Sequence, residues 1–461
     1  MAFGFFKKAE KADLIFIGGK VYTQTADLPW AEAVACKDGK ILDVGDNESI
    51  MEMASDETQI IDLEGKTLLP GFIDITGISL NQLFDDFVLN IDHLQFRDEC
   101  LGAIIDYVDN NDLEAYVVIG APPAFTEGLE RDEVVKSLDE ICPEKPIVVF
   151  LNNGFGIIPN SAALNTAVEN AQNDGMMQLT IPYLMSVLPF FDFDEMQREL
   201  LEIIKEKCER GYTTLTGSQL PDYFTTIVQD FLVEFMQNNM LKQRFYNYLF
   251  INSVLTGEDL VALLRQRQTH TVDMEGLLAF AGLDMNSQDI PMDALDEMIF
   301  AAADAGFDIQ VQSHNKETAL NILDVFQSTQ GKGYRKNLYA LAHDLEFDEE
   351  ERANYSLGEL IFETCTSGTD PLDNVNSVEA AIDLLTIDAA ILLGEFEKFG
   401  SIEKGKVADF VVFDENPLEC ASVNAFRKLS SSMTVLNGQI VYDVEEDLAS
   451  EWYDLLLSQQ Y

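Results

Sequence analysis

From about residue 210 to residue 365, short apolar runs alternate with amphipathic stretches. The runs at 213–216, 245–251, 276–281, 308–311, 338–342 and 359–365 have the length of strands. The segments between them carry helical periodicity, 292–305 and 316–327 among them. Strands that recur with a helix between each pair predict a parallel α/β sheet, closed or open, because parallel neighbours need a long crossover connection. The two ends of the chain differ from this middle. Residues 12–68 read as short strands around the turns Gly18-Gly19 and Lys37-Asp38-Gly39-Lys40. Residues 408–413, 433–436 and 439–442 read as strands, the last two joined at Asn437-Gly438. Two β-rich ends around an α/β middle predict one small β domain built from both termini. Residues 81–200 interrupt the alternation with helices and a few strands and read as an insertion. The stretch 451–457 reads as a short docking helix.

Composition narrows the function. The chain has 461 residues, enough for a barrel and a second domain, and 47% hydrophobic residues, enough for a large core. Its 81 acidic and 29 basic side chains give a formal net charge of −52. Such a surface repels phosphate, so neither a nucleic acid nor an anionic membrane is expected as a partner. The 6 cysteines lie apart, without Cys-x-x-Cys pairs. That spacing fits reduced thiols in a cytoplasmic protein. The first residues lack the apolar core and cleavage site of a signal peptide, and no uncharged run is long enough to span a bilayer.

Three stretches then narrow the family. The run Leu69-Pro70-Gly71-Phe72-Ile73-Asp74-Ile75-Thr76-Gly77-Ile78 opens the α/β region. Leu138-Asp139-Glu140-Ile141-Cys142-Pro143-Glu144-Lys145-Pro146 and Asn160-Ser161-Ala162-Ala163-Leu164 lie in the insertion. Gly400-Ser401-Ile402-Glu403-Lys404-Gly405-Lys406-Val407-Ala408-Asp409 precedes the last strands, after a helical stretch 377–390. Together they resemble the amidohydrolase superfamily, most closely the branch that includes N-substituted formamide deformylase, over residues 12 to about 443. The resemblance implies a TIM-type barrel, complete or lacking a strand, over residues 70–395. It implies a small β-sandwich built from residues 1–69 and 396–461. Active sites of such barrels sit at the carboxyl ends of the strands.

The resemblance also implies metal-ligand positions, and this chain departs from most of them. Where the family carries His-x-His on the first strand, this chain has Thr76 and Ile78, following Asp74. Phe155 stands at a usual histidine, Leu278 near the bridging lysine, and Ser313 at the fifth-strand histidine, with His314 one residue out of register. His343 matches the sixth-strand histidine and Asp370 the last-strand aspartate. Neither His93 nor His270 matches a family position. A catalytic zinc needs about three protein ligands and an open position. The substitutions therefore predict no metal cofactor and a pocket lined by Asp74, Thr76, Ile78, Phe155, Leu278, Ser313 and His314, more apolar than in active relatives.

Two readings of function remain open. In the first, which the residues favour, the protein is a degenerate amidohydrolase that binds a small molecule or serves in assembly, as a homo-oligomer. In the second it hydrolyses non-peptide C–N bonds, amide or formamide, through a rearranged site with His343 and Asp370 as catalytic residues and one divalent metal ion. Asp74, Asp284, Glu317, Glu363 and Asp370 are the oxygen ligands available to such an ion.

Overall fold

The computed structural model describes residues 10–445, except 79–86, 152–155, 175–187, 191–192, 218–221, 252–253, 271–275, 289, 314, 331–338, 343–360, 363–371 and 373–374. At its centre is a parallel sheet of seven strands lying side by side in chain order: β1 Phe72–Ile78, β2 Tyr212–Gly217, β3 Arg244–Ile251, β4 Leu278–Asn286, β5 Asp308–Gln312, β6 Tyr339–Ala342 and β7 Ile361–Phe362. All six neighbouring pairs are parallel. The sheet is half a barrel: among the described residues β1 and β7 do not pair with one another. Helix α1 (Phe193–Glu209) leads into β2. The crossovers are α2 (Asp222–Gln237), α3 (Gly257–His270), α4 (Met292–Ala305) and α5 (Lys316–Gln330).

The expected strands are found, with β4 extended five residues beyond the expected run. Its extension carries the polar residues Asp284 and Asn286 past Gly282, so apolar patterning alone stops short of it. The helix expected at 292–305 falls on α4. Pro291 fixes its start, and Gly306 at φ 86° ends it by returning its N–H to Ala302 and Ala303.

The two faces of the central sheet are packed differently. On one face Leu249, Ile251, Leu283, Met285, Ile309 and Val311 form a core with Leu260, Leu264, Met298, Ile299, Ile322 and Phe326 of α3, α4 and α5. Side chains alternate along a strand, so the residues between them face the other way. On that concave face Ile73, Tyr246, Ala279 and Ala281 lie towards the amino ends. They are covered by Ala389, Ala390, Leu393 and Phe399 of the short helix Ala389–Leu392 and the turn after it.

The chain ends form two further sheets. One is ordered Lys40–Gly45, Ala33–Lys37, Leu14–Ile17, Gln59–Asp62. The other is ordered Gln439–Asp443, Met433–Leu436, Phe410–Phe413, Thr67–Pro70, Lys20–Tyr22, Trp30–Ala31. Thr67–Pro70 from the first part of the chain and Phe410–Phe413 from the last lie antiparallel, Leu69 opposite Val411. Phe16, Val34 and Cys36 of the first sheet share one core with Leu68, Phe410 and Val435 of the second. Burial, with the negative charge of Asp13 beside it, pushes the Cys36 thiol up to about 12, so it is a packed, inert group.

The family-like stretches turn out to be fasteners. The Pro70-Gly71 corner leaves one sheet and enters the next. Gly71 N–H donates to the Asp409 carbonyl at 2.9 Å, and Phe72 N–H to that of Gly211 at 2.9 Å. A Cβ on Gly71 would lie 2.4 Å from Thr213 Oγ1, so only glycine fits. In the stretch from Gly400, Lys406 Nζ donates to Ser401 Oγ at 2.7 Å and lies 3.0 Å from Glu403 Oε1. Asp409 takes the Arg244 guanidinium on both carboxylate oxygens and the Asn437 N–H at 2.8 Å.

The insertion holds more strand than its sequence suggests. Val88–Asn90, Tyr116–Ala121 and Ile147–Leu151 are parallel, and Ile157–Pro159 adds an antiparallel edge. Its family-like residues also bind each other. Buried Asn160 accepts from Ile147 and Ala163 N–H at 3.0 and 2.9 Å and donates to the Cys142 and Lys145 carbonyls at 2.9 and 3.0 Å. Ser161 binds both oxygens of Asp139 at 2.7 Å through its N–H and hydroxyl. No helix among the described residues is long and apolar enough to cross a membrane.

Candidate functional site

Because the seven strands are parallel, their carboxyl ends, at Ile78, Gly217, Ile251, Asn286, Gln312, Ala342 and Phe362, share one edge. That is the edge at which α/β folds bind ligands. Ser313 follows β5 there. It is fully buried, and its hydroxyl donates to the Asn315 carbonyl at 3.3 Å.

Thr76 and Ile78 lie at the same end of β1, in an irregular stretch. Asp74 is opposite Leu215 and Ile78 opposite Gly217, so β1 spends four residues where β2 spends two. The regular pairing of β1 with β2 is interrupted there. Asp74 lies below it with its carboxylate turned to the helix side. Lys207 Nζ of α1 donates to it at 2.6 Å and lies 5.0 Å from the Tyr212 ring centroid. Leu278 opens β4 at the opposite edge, in the core with Phe245 and Leu215. Eight residues of strand, about 25 Å, separate it from Asn286. The structure thus gathers Thr76, Ile78 and Ser313 at the carboxyl edge and leaves Leu278 at the other. Phe155, His314, His343, Asp370 and the stretch 451–457 lie outside the described residues. His93, outside the family positions, is exposed beside Asp92 at 3.7 Å.

The concave face changes character towards this edge. Beyond the apolar Ile73, Tyr246 and Ala279 come Tyr248 and Phe250 on β3, Asp284 and Asn286 on β4, and Asp308, Gln310 and Gln312 on β5. Asp284 is 0% exposed, and Gln312 Nε2 donates to its two oxygens at 3.3 and 3.1 Å. Tyr248 is buried beside them. Burial first, then the negative charges of Asp308 and Asp284, hold its phenol protonated well above the ordinary value. Closed barrels fill their inner layers with branched apolar side chains and carry polar residues at the carboxyl ends of the strands, which is where this set lies.

The described groups at this edge are bound to other groups of the chain. The Asp74 carboxylate is taken by an ammonium group, and the Ser313 hydroxyl by a backbone carbonyl. Among the described residues no three His, Cys, Asp or Glu side chains gather as ligands. Sequence reasoning missed Lys207, Tyr248 and Gln312. Lys207 is 133 residues from Asp74 and gave no signal. For Gln312, the alternation Asp308-Ile309-Gln310-Val311-Gln312 was a readable sign of a strand with one polar face.

Residues 367–442 match the sequence profile of the Amidohydrolase family. Over 165 residues the chain is 28% identical to the N-substituted formamide deformylase of Arthrobacter pascens, a match that covers 33% of this chain and 29% of that one. The structure aligns with an uncharacterized metal-dependent hydrolase from Pyrococcus furiosus at a TM-score of 0.54, covering 88% of this chain and 100% of that one. The chain belongs to the amidohydrolase superfamily. Within that superfamily the structural match, at 14% identity, speaks for the fold alone. A longer sequence match reaches the exoenzymes regulatory protein AepA of Pectobacterium carotovorum subsp. carotovorum. It is 23% identical over 368 residues and covers 70% of this chain and 78% of AepA.

Proposed function

We propose that this superfamily member binds a small molecule without the usual metal centre and acts in recognition or assembly, not in hydrolysis. One observation carries the reading. The strand that in metal-dependent relatives ends in two ligand histidines ends here in Thr76-Gly77-Ile78, and a hydroxyl beside an alkyl group cannot hold zinc. Phe155 and Ser313 at two further family positions extend the loss. The regulatory name borne by AepA fits a chain that has kept the scaffold and left the chemistry. In this reading the two end sheets form the β-sandwich of residues 1–69 and 396–461, and the protein is a cytoplasmic homo-oligomer.

Metal analysis of protein purified without chelator tests the proposal. The expected content is well below 0.1 equivalent of zinc, manganese and iron, on the order of trace contamination. Near-stoichiometric metal removed only by denaturation sinks it. Similarity to the formamide deformylase supports the second reading, a C–N hydrolase working through His343 and Asp370 with a divalent ion. That reading predicts turnover of amides or formamides that His343→Ala abolishes. Equal turnover by both proteins removes His343 from catalysis.

A further inference from the structure

The sheet of the insertion is packed between two cores. Val117, Val148 and Phe150 join Leu200 and Ile204 of α1 on the barrel side. Val118, Ile147 and Val149 join Cys100 and Ile104 of the helix Arg97–Asn110 on the other side. That helix therefore covers the face of the insertion turned away from the barrel, and its own outer face is open. Asp98, Gly102, Ile105 and Asp109, spaced i, i+4, i+7 and i+11, are all exposed. Ile105 is 43% exposed, with half-buried Leu101 and Val108 beside it. Three features of this helix act against its own stability. Gly102 stands in its middle, where glycine weakens a helix, and a Cβ there would meet nothing within 4 Å, so no close packing calls for it. Asp106 and Asp109 lie towards the C-terminal end, where the helix dipole disfavours negative charge. Arg97 is the helix's one basic residue, and its guanidinium turns inward to the Phe125 carbonyl at 2.7 Å and the Ser137 hydroxyl at 2.8 Å. Among the described residues no ion pair answers Asp98, Glu99, Asp106 or Asp109. Local costs that the fold itself does not repay mark a place used for something else.

We propose that the outer face of the helix Arg97–Asn110 docks a basic amphipathic helix of a protein partner. The partner's lysine or arginine side chains meet Asp98, Glu99, Asp106 and Asp109, and bring positive charge to the C-terminal end of the helix dipole. Its apolar stripe lies on Leu101, Ile105 and Val108, and Gly102 lets the two backbones come close. A second copy of this chain fits the face poorly, because the same carboxylates would then meet each other. The face lies away from the carboxyl edge of the barrel, so metal content at that edge does not bear on it.

The test is fluorescence anisotropy with a labelled synthetic peptide of about 18 residues, leucine at i, i+3, i+4 and i+7 and lysine elsewhere, titrated with the full-length protein at about 0.15 M salt. A scrambled peptide of the same composition and charge is the control. The expected result is saturable binding of about one patterned peptide per chain, with the scrambled peptide at least about tenfold weaker. Gly102→Gln and Asp109→Gln should each raise Tm by about 1–2 °C, because each strengthens the helix. Each should also weaken binding of the patterned peptide about fivefold to tenfold. A variant that gains stability and loses binding has not lost it by misfolding. Equal binding of the scrambled peptide would mean attraction by overall acidity alone and overturns the proposal. Binding unchanged in both variants overturns it as well. A dimer in sedimentation that Gly102→Gln dissociates would assign the face to a second copy and overturn it too.

Discussion

Asp409 and Asp284 are both buried carboxylates on the same sheet's surroundings, and they are held by opposite means. Asp409 meets the Arg244 guanidinium on both oxygens and the Asn437 N–H, where the end sheets join the amino ends of the strands. Asp284 takes the neutral Gln312 amide, and its face adds Asp308 and the Tyr248 phenol. The first arrangement closes on itself: charge meets charge, and its carboxylate comes from a family-like stretch. The second gathers negative and polar groups near the carboxyl edge, where such barrels carry their binding residues. The difference separates residues that hold the scaffold from residues kept for something the scaffold does not need.

The largest test of this contrast is Arg244→Met. It leaves the Asp409 carboxylate buried without its cation and should cost about 3–5 kcal/mol in urea unfolding. Adding Asp409→Leu should recover much of that loss, since two apolar groups then fill the joint. A loss under about 1 kcal/mol would break the contrast, because Asp409 would then be no more a fastener than Asp284.

Next in size is Gly282→Ala, on the concave side. A Cβ at Gly282 would lie 2.0 Å from the Asp308 carbonyl oxygen and 2.7 Å from its carbon, both backbone atoms that cannot turn aside. β4 and β5 must then separate where Asp284 and Gln312 meet. The expected loss is about 1–3 kcal/mol. Unchanged stability would show that β4 and β5 can part there at no cost, and that the polar face is not closely packed.

How much of this was legible in the sequence differs between the two regions. The joint around Asp409 lies in a stretch whose residues are themselves the pattern, so its presence was readable. Its purpose was not, because Arg244 is 165 residues away. Helix α4 was readable to the residue because Pro291 and Gly306 bracket an amphipathic stretch. The polar face was hidden for a physical reason. Alternation tells that Asp308, Gln310 and Gln312 share one side of a strand, and not whether that side faces solvent or a cavity. The same limit applied to Asp74, placed in the pocket by its position and turned by Lys207 towards the helices. Phe155, His314, His343 and Asp370 remain known by sequence position only.

The smallest effect should come from Glu403, in the same fastening stretch as Asp409. The Ser401 hydroxyl, 2.5 Å from its carboxylate, is the main cause that holds its pKa below the ordinary carboxylate value; Lys406 adds to it, while partial burial opposes both. A group whose folded pKa is depressed stabilises fully above its unfolded pKa, about 4.3, and loses that contribution as pH falls through the lower folded value. The carboxylate is 45% exposed, so water screens the interaction and the effect stays under about 1 kcal/mol. Glu403→Gln should therefore lower Tm slightly at pH 7, with the gap to the unaltered protein closing over the acid range below about pH 4.3. A gap of constant size across that range would mean that Glu403 contributes by packing and hydrogen-bond shape. The fastening stretch would then depend on charge at Arg244–Asp409 alone.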